Sequence, residues 1–309
     1  MSLLPPPLSP EREGHVAFAP EDAPLPVSCS WKDRFDDPLN RFYRYPVARL
    51  IVRVLMHTPV TPNQVTFVQP FLAAAAGYCV TFADHRHLIL AALLFEFRSV
   101  LDCVDGTLAR AKKMTSANGH VIDAVADWLG TVLLYSGIFW HFHLHPPPPG
   151  PLTSVLPVSA VILIALWQGA LRSFAADYYR TKIVSIFEQG RDDTIEAMRR
   201  KVRAIGPDSS LFARIDVIIG HCGHISFEHR MFNPDEDDRS VARIQSREST
   251  PLARWVAGLW SITNGDAFLS MIVFAMLANR LWEAQVFFAT AGVVWAFAVI
   301  ALSGRLVRP

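Results

Sequence analysis

The chain has 309 residues, 51% hydrophobic and 18% charged, with a mean hydropathy of +0.25 and a formal net charge of +1. Water-soluble domains carry about a quarter charged residues, so the composition excludes an ordinary soluble globule, and so small a net charge leaves no global field to recruit nucleic acid. Cys29, Cys79, Cys103 and Cys222 are scattered and form no CxxC pair; they supply no disulfide framework and suit a reduced compartment or the bilayer.

Residues 1–30 are rich in proline (Pro5, Pro6, Pro7, Pro10, Pro20, Pro24, Pro26) and acidic residues, and read as a disordered tail. They lack a basic region followed by an apolar one, so no cleavable signal peptide is expected. Residues 31–60 interleave Trp31, Phe35, Phe42, Tyr43, Leu50, Ile51, Val54 and Leu55 with Arg34, Arg41, Arg44, Arg49 and Arg53. This is the pattern of an amphipathic helix lying at a membrane surface.

Six stretches approach the length and apolarity of a membrane span: 63–83, 87–105, 119–141, 152–175, 255–277 and 282–303. The expected fold is all-α and integral to the membrane. Six transmembrane helices form a domain over 61–303, with a long inner loop at 176–254 and a short tail at 304–309. The run His145-Pro146-Pro147-Pro148-Pro149-Gly150 stops a helix between the third and fourth spans. With the N-terminus inside, the outer connectors carry only Arg86 and Arg280, whereas inner segments carry nearly all other Lys and Arg. That asymmetry places both termini and the inner ends of the spans in the cytoplasm.

The chemistry concentrates in residues 102–127. Asp102 and Asp105 are i,i+3, and Asp123 and Asp127 are i,i+4, so each pair shares one helix face. A short connector would make their helices antiparallel neighbours and bring four carboxylates together near the cytoplasmic interface. Such a cluster is unfavourable without a partner, because each acid is costly within a span and the four repel. An all-oxygen site suits Mg²⁺ or Mn²⁺, with Ca²⁺ also compatible, rather than Zn²⁺. Two such ions would clamp a phosphate and activate a nucleophile. Gly106 and Ala109 leave room beside the backbone, Arg110 can meet a pyrophosphate, and Gly119 allows the next helix to begin close by. The bland alternative is a solvated acidic turn outside the bilayer.

Together these residues read D-x2-D-G-x2-A-R-x8-G-x3-D-x3-D, which resembles the signature of the CDP-alcohol phosphotransferase (CDP-alcohol phosphatidyltransferase) family. Thr61-Pro62-Asn63-Gln64-Val65-Thr66 is also similar to the family's entry into its first span. The resemblance implies a phospholipid-synthesis transferase that moves a phosphoalcohol group from a CDP-alcohol to a hydroxyl acceptor and releases CMP. It implies two divalent metal ions, Mg²⁺ or Mn²⁺, with Asp102, Asp105 and Asp123 as principal ligands. Asp127 would assist the metals and act as general base. Gly106, Ala109, Arg110 and Gly119 would shape the CDP site. It further implies a homodimer, with CDP-diacylglycerol as first candidate donor and CDP-choline or CDP-ethanolamine as second.

The acceptor is not written in the motif. Arg172, at the inner end of the fourth span, is a candidate for acceptor binding; snorkelling to headgroups is the plain alternative. The resemblance implies a basic cluster at this helix end where the acceptor is phosphorylated, and Ala176 and Asp177 weaken that case. Asn264-Gly265-Asp266 interrupts the fifth span and puts an acid inside it. Arg98 and Glu96 are possible partners for that acid. Within the inner loop, 192–205 and 210–219 have helical periodicity, and 234–250 reads as a linker. His221, Cys222, His224 and His229 match no standard zinc spacing and read as a surface loop. Two other classes remain in play: an intramembrane Mg²⁺-dependent prenyltransferase and a cation transporter. The first expects aspartate-rich motifs far apart in sequence, and the second expects polar residues through the membrane depth.

Overall fold

The computed structural model describes residues 30–82, 84–114, 117–192, 194, 214 and 238–307. Among these every regular element is helical. Helix α1 spans Trp31–Phe35, and a π-helical turn at Asn40–Arg44 runs into α2, Tyr45–Leu55. There follow α3 (Pro62–Val80), α4 (His85–Ala111), α5 (Ala117–Leu144) and α6 (Val158–Gln189). Beyond the inner loop lie α7 (Asp238–Gln245), α8 (Pro251–Ser261), α9 (Gly265–Leu277), α10 (Leu281–Phe287) and α11 (Val293–Val307). A second π-helical turn, Phe288–Gly292, joins the last two.

Three of these helical stretches are long and apolar enough to cross a membrane: Ile122–Leu144, Val158–Gln189 and Leu281–Val307. A fourth crossing is available if α8 and α9, bent by 44°, count as one broken span. This is a multi-pass membrane protein. Helices α3 and α4 fall outside that measure because they carry polar residues inward: Gln69 in α3, and Arg98 and Asp105 in α4, are all buried.

Local sequence explains the helix boundaries. Thr61 and Gln64 form a reciprocal cap at the start of α3, with Gln64 N–H donating to Thr61 Oγ1 (3.4 Å) and Thr61 N–H to Gln64 Oε1 (2.9 Å). Asp84 caps α4 through the His87 N–H, 3.0 Å. Asn264 caps α9 through the Ala267 N–H, 2.8 Å, so the Asn-Gly-Asp interruption is a helix restart.

Four boundaries differ from the sequence expectation. Residues 31–60 do not form one helix. The helix stops before Asp36-Asp37-Pro38, where proline cannot continue it, and Asp37 Oδ1 accepts the Leu39 N–H at 2.7 Å to restart the chain. The fourth helix begins at Val158 rather than 152, because 151–155 fold into a turn held by Gly150 N–H on Thr153 Oγ1, 2.7 Å. At its other end it runs to Gln189, well into the expected loop, and stops at left-handed Gly190 (φ 70°). Tyr178, Tyr179, Ile183, Ile186 and Phe187 are buried at helical spacing and carry that extension. The expected linker 234–250 contains α7, whose Ile244 is buried. Apart from residues 192, 194 and 214, the two helices expected at 192–205 and 210–219 lie outside the described residues, as do the His221–His229 cluster and the tail 1–29.

Three apolar cores hold the fold among the described residues: a smaller one joins α2, α3 and α4 through Ala48, Val52, Val65, Val104 and Leu108, and two are larger. One gathers α3, α4, α5, α9 and α10 through Ala73, Ala76, Phe95, Leu134, Ile138, Phe268, Ile272 and Met276. The other gathers α1, the second half of α6, α8 and α11 around Tyr179, Ile183, Trp260 and Leu306. Close approach in the first large core depends on glycine: a Cβ on Gly137 would overlap the backbone of Gly77, and one on Gly77 would meet the Leu133 carbonyl.

Candidate active site

Helix α4 carries Asp102 and Asp105, and α5 carries Asp123 and Asp127. The two helices are joined by a short turn, and both pack along α3. Asp102, Asp123 and Asp127 each present a ligand atom within 4.8 Å of the others, the arrangement of a metal-holding group among the described residues. Asp123 Oδ1 is buried without a hydrogen-bond partner. A buried carboxylate oxygen left unpaired carries a large desolvation cost, so this oxygen fits a divalent cation, and the all-oxygen donor set is one that Mg²⁺ or Mn²⁺ takes.

Asp105 is not one of that trio, and its partners lie on α3. Its Oδ2 accepts from Thr66 Oγ1 and Gln69 Nε2, each at 2.7 Å, and the residue is only 5% exposed. Thr66 closes the Thr61–Thr66 entry motif with no role assigned to it by the sequence, and Gln69, one turn further along α3, was not singled out. Two polar residues at i,i+3 inside an apolar helix were the available signal.

The residues expected to shape a nucleotide site lie at the end of α4 and the start of α5. Arg110 is exposed, with Nη2 donating to Thr107 Oγ1 at 3.3 Å. A Cβ on Gly106 would meet only the Arg110 guanidinium, at 3.6 Å, so packing does not demand glycine there. Ala109 is half-buried, and Gly119 lies in the first turn of α5.

A cavity of about 330 Å³ opens against Asp127. Arg98, Asp127 and Thr131 line one side, Asp177 and Arg180 of α6 another, and Asp266 of α9 a third; Phe35, Trp128 and Trp260 add aromatic wall. Arg98 Nη2 donates to Asp127 Oδ1. Arg180 Nη2 pairs with Asp36 Oδ1 at 2.7 Å. Burial pushes the Asp36 carboxyl above its ordinary range, and Arg180 pulls it partly back. Asn40 Nδ2 donates to Asp266 Oδ2 at 2.6 Å and its Oδ1 accepts from Arg44 Nη1 at 3.1 Å. Arg44 in turn forks onto Glu96 (2.8 and 2.7 Å). Glu96 and Arg98 therefore do not pair with Asp266, as the sequence left open: Glu96 takes Arg44 and Arg98 takes Asp127.

Arg172 does not line this cavity. It is buried against the second π-helical turn, with Nη2 donating to the Gly292 carbonyl at 3.1 Å and its guanidinium 5.8 Å from the Phe288 ring. Asp177 and Arg180 of the same helix do line the cavity.

Comparison with known proteins agrees with this geometry. Residues 59–188 match the model of the CDP-alcohol phosphatidyltransferase family. Ceramide phosphoethanolamine synthase of Drosophila melanogaster is 24% identical over 265 residues, 80% of this chain and 59% of that protein. Phosphatidylinositol phosphate synthase of Corynebacterium glutamicum is 30% identical over 136 residues, 43% of this chain and 59% of that protein. The bifunctional IPC transferase and DIPP synthase of Rubrobacter xylanophilus is 36% identical over 103 residues, 33% of this chain and 23% of that protein. The chain thus spans about three-fifths of the length of the first two relatives. The matched region contains all four aspartates, together with Gly106, Ala109, Arg110 and Gly119. The stretch that matches the CDP-alcohol phosphatidyltransferase model, residues 59–188, runs from the turn before α3 to the penultimate residue of α6.

Proposed function

We propose that the protein transfers a phosphoalcohol group from a CDP-alcohol to a hydroxyl acceptor and releases CMP, with Asp127 as the general base. The observation that carries this reading is the double position of Asp127, which belongs to the carboxylate trio and also lines the cavity. An acceptor hydroxyl in that cavity lies within reach of the carboxylate that must take its proton. The hydroxyl oxygen attacks the phosphorus bearing the donor's alcohol, the bridging P–O bond breaks, CMP leaves, and the proton passes to Asp127.

Asp102, Asp123 and Asp127 would hold the divalent cations, with Asp105 as a further ligand implied by the family. When bound, the ions supply charge neutralisation for the pyrophosphate. Gly106, Ala109, Arg110 and Gly119 would seat the CDP moiety, the open space at Gly106 admitting it beside the backbone. CDP-diacylglycerol is the first donor to try, as the 30% identical phosphatidylinositol phosphate synthase suggests by its name. A second reading rests on the alignment over 80% of the chain with ceramide phosphoethanolamine synthase. In it CDP-ethanolamine donates and a lipid hydroxyl accepts. The tied-up arginines of the cavity favour an acceptor without its own phosphate in either case. Six membrane passes, a homodimer and a cytoplasm-facing site complete the proposal.

The test is CMP release by the purified, detergent-solubilised full chain with either donor, Mg²⁺ or Mn²⁺, and a panel of acceptors. Wild type should release CMP only with metal, and Asp127→Asn should lose at least about 100-fold. Full activity in Asp127→Asn would remove the base assignment. No CMP from any donor, by folded protein, would remove the transfer reading.

A further inference from the structure

Among the described residues, Arg98 is the cation that touches the carboxylate trio and the cavity at once. It lies one helical turn before Asp102 on α4, the same face, and is 4% exposed. Nη2 holds Asp127 Oδ1, while Nε is buried without a hydrogen-bond partner. Helix α5 makes room for it: a Cβ on Gly130 would stand 3.3 Å from Nε. Thr131 Oγ1 donates to the Asp127 carbonyl at 3.0 Å, and the guanidinium lies 5.7 Å from the Phe95 ring centroid. Asp127 is thus fixed at its backbone and at one carboxylate oxygen. Burying a guanidinium costs several kcal/mol even when paired, and an apolar side chain at position 98 would pack the helix at no such cost. The stabilisation of the fold does not account for the residue.

We propose that Arg98 is a positioning residue: by holding one oxygen of Asp127, it aims the other at the junction of carboxylate trio and cavity, and it balances the trio's charge. This rests on the reading of the trio as the reaction centre. Held by one oxygen, Asp127 cannot turn end for end, so the oxygen offered to an acceptor hydroxyl keeps one place. A unit positive charge beside the trio also opposes the entry of any second cation, so the residue sets how tightly a divalent ion is held.

Two readouts on the full chain in detergent test this, one independent of activity. The first is Mn²⁺ titration followed by thermal unfolding, and the second is kcat and KM for the CDP-alcohol. Arg98→Gln should lower the Mn²⁺ concentration for half-maximal stabilisation by about threefold or more, because an opposing charge is gone. It should lower kcat by about 30-fold with donor KM changed less than about twofold. Arg98→Lys keeps the charge and loses the fork, so its Mn²⁺ midpoint should stay near wild type while kcat still falls by about tenfold. If Arg98→Gln does not fold, Arg98→Lys carries the test through that kcat loss at unchanged midpoint. An unchanged Mn²⁺ midpoint and kcat in folded Arg98→Gln would overturn the proposal. So would variants that lose only thermal stability, equally with and without Mn²⁺. Should wild type release no CMP while Arg98→Gln still shifts the Mn²⁺ midpoint, the transfer reading falls and the tie between Arg98 and the trio stands.

Discussion

At the scale of single residues, the site is a set of acids each held differently. Asp127 has Arg98, Asp105 has Thr66 and Gln69, and Asp123 Oδ1 has nothing. Their spacing along the chain fixed which acids share a face, since i,i+3 and i,i+4 neighbours must. It could not tell which acid would be held by polar partners, because Asp105's partners come from a different helix. The Gln69 bond reaches a charged oxygen in a buried setting, where such bonds contribute about 1.5–3 kcal/mol. Gln69→Leu should therefore lower the unfolding free energy by about 2 kcal/mol, read from thermal or denaturant unfolding in detergent. Wild-type stability in that variant would mean Asp105 finds another donor.

At the scale of elements, small residues and polar clasps decide how helices meet. Gly137 on α5 lies against the backbone of Gly77 on α3, and Gly169 on α6 leaves the space that the Phe268 ring of α9 fills. Such close approach is how membrane helices gain packing without a hydrophobic driving force. Gly137→Val would force α3 and α5 apart. It should cost at least about 2 kcal/mol and also weaken Mn²⁺ binding, since α5 carries Asp123 and Asp127. Metal-dependent stabilisation and melting temperature, measured together, check both halves; a Gly137→Val protein with unchanged melting would exclude the close crossing. The N-terminal stretch acts by clasps instead. Asn40 and Arg44 reach Asp266, Glu96 and Ser270, and Asp36 reaches Arg180, so residues 36–44 brace cavity residues from behind while Phe35 lines the cavity itself. The sequence read this stretch as one surface helix because aromatic and basic residues interleave along it. The break at Asp36-Asp37-Pro38 turns part of it inward.

At the scale of the whole molecule, one large core lies among the apolar lengths of α3, α4, α5, α9 and α10, and the other surrounds the extended end of α6. The cavity lies where the two meet, walled by Phe268 from the first and Phe35 and Trp260 from the second. The proposed orientation puts the α4–α5 turn inside and the α5–α6 connector outside. Lys113→Cys and Ser154→Cys, placed in those two segments, should react with an impermeant thiol reagent from opposite sides of sealed vesicles. The native Cys79 and Cys103 are buried and should stay silent. Labelling of both positions from one side would refute the orientation. It would also break the pairing of α5 as a complete crossing, which its apolar length from Ile122 to Leu144 supports.

The sequence by itself determined the class of the fold, the helices that carry the acids and the family signature those acids resemble. Each follows from local rules: apolar length, helical period and the spacing of one motif within 26 residues. Only the tertiary structure decided that Arg98 answers Asp127, that Thr66 and Gln69 hold Asp105, and that Arg172 turns to Gly292 while Asp177, Arg180 and Asp266 reach the cavity. Those pairings join residues up to 120 positions apart. They depend on how closely helices approach and how each is rotated, which bulk and small-residue contacts fix, and no periodicity along a single helix encodes that.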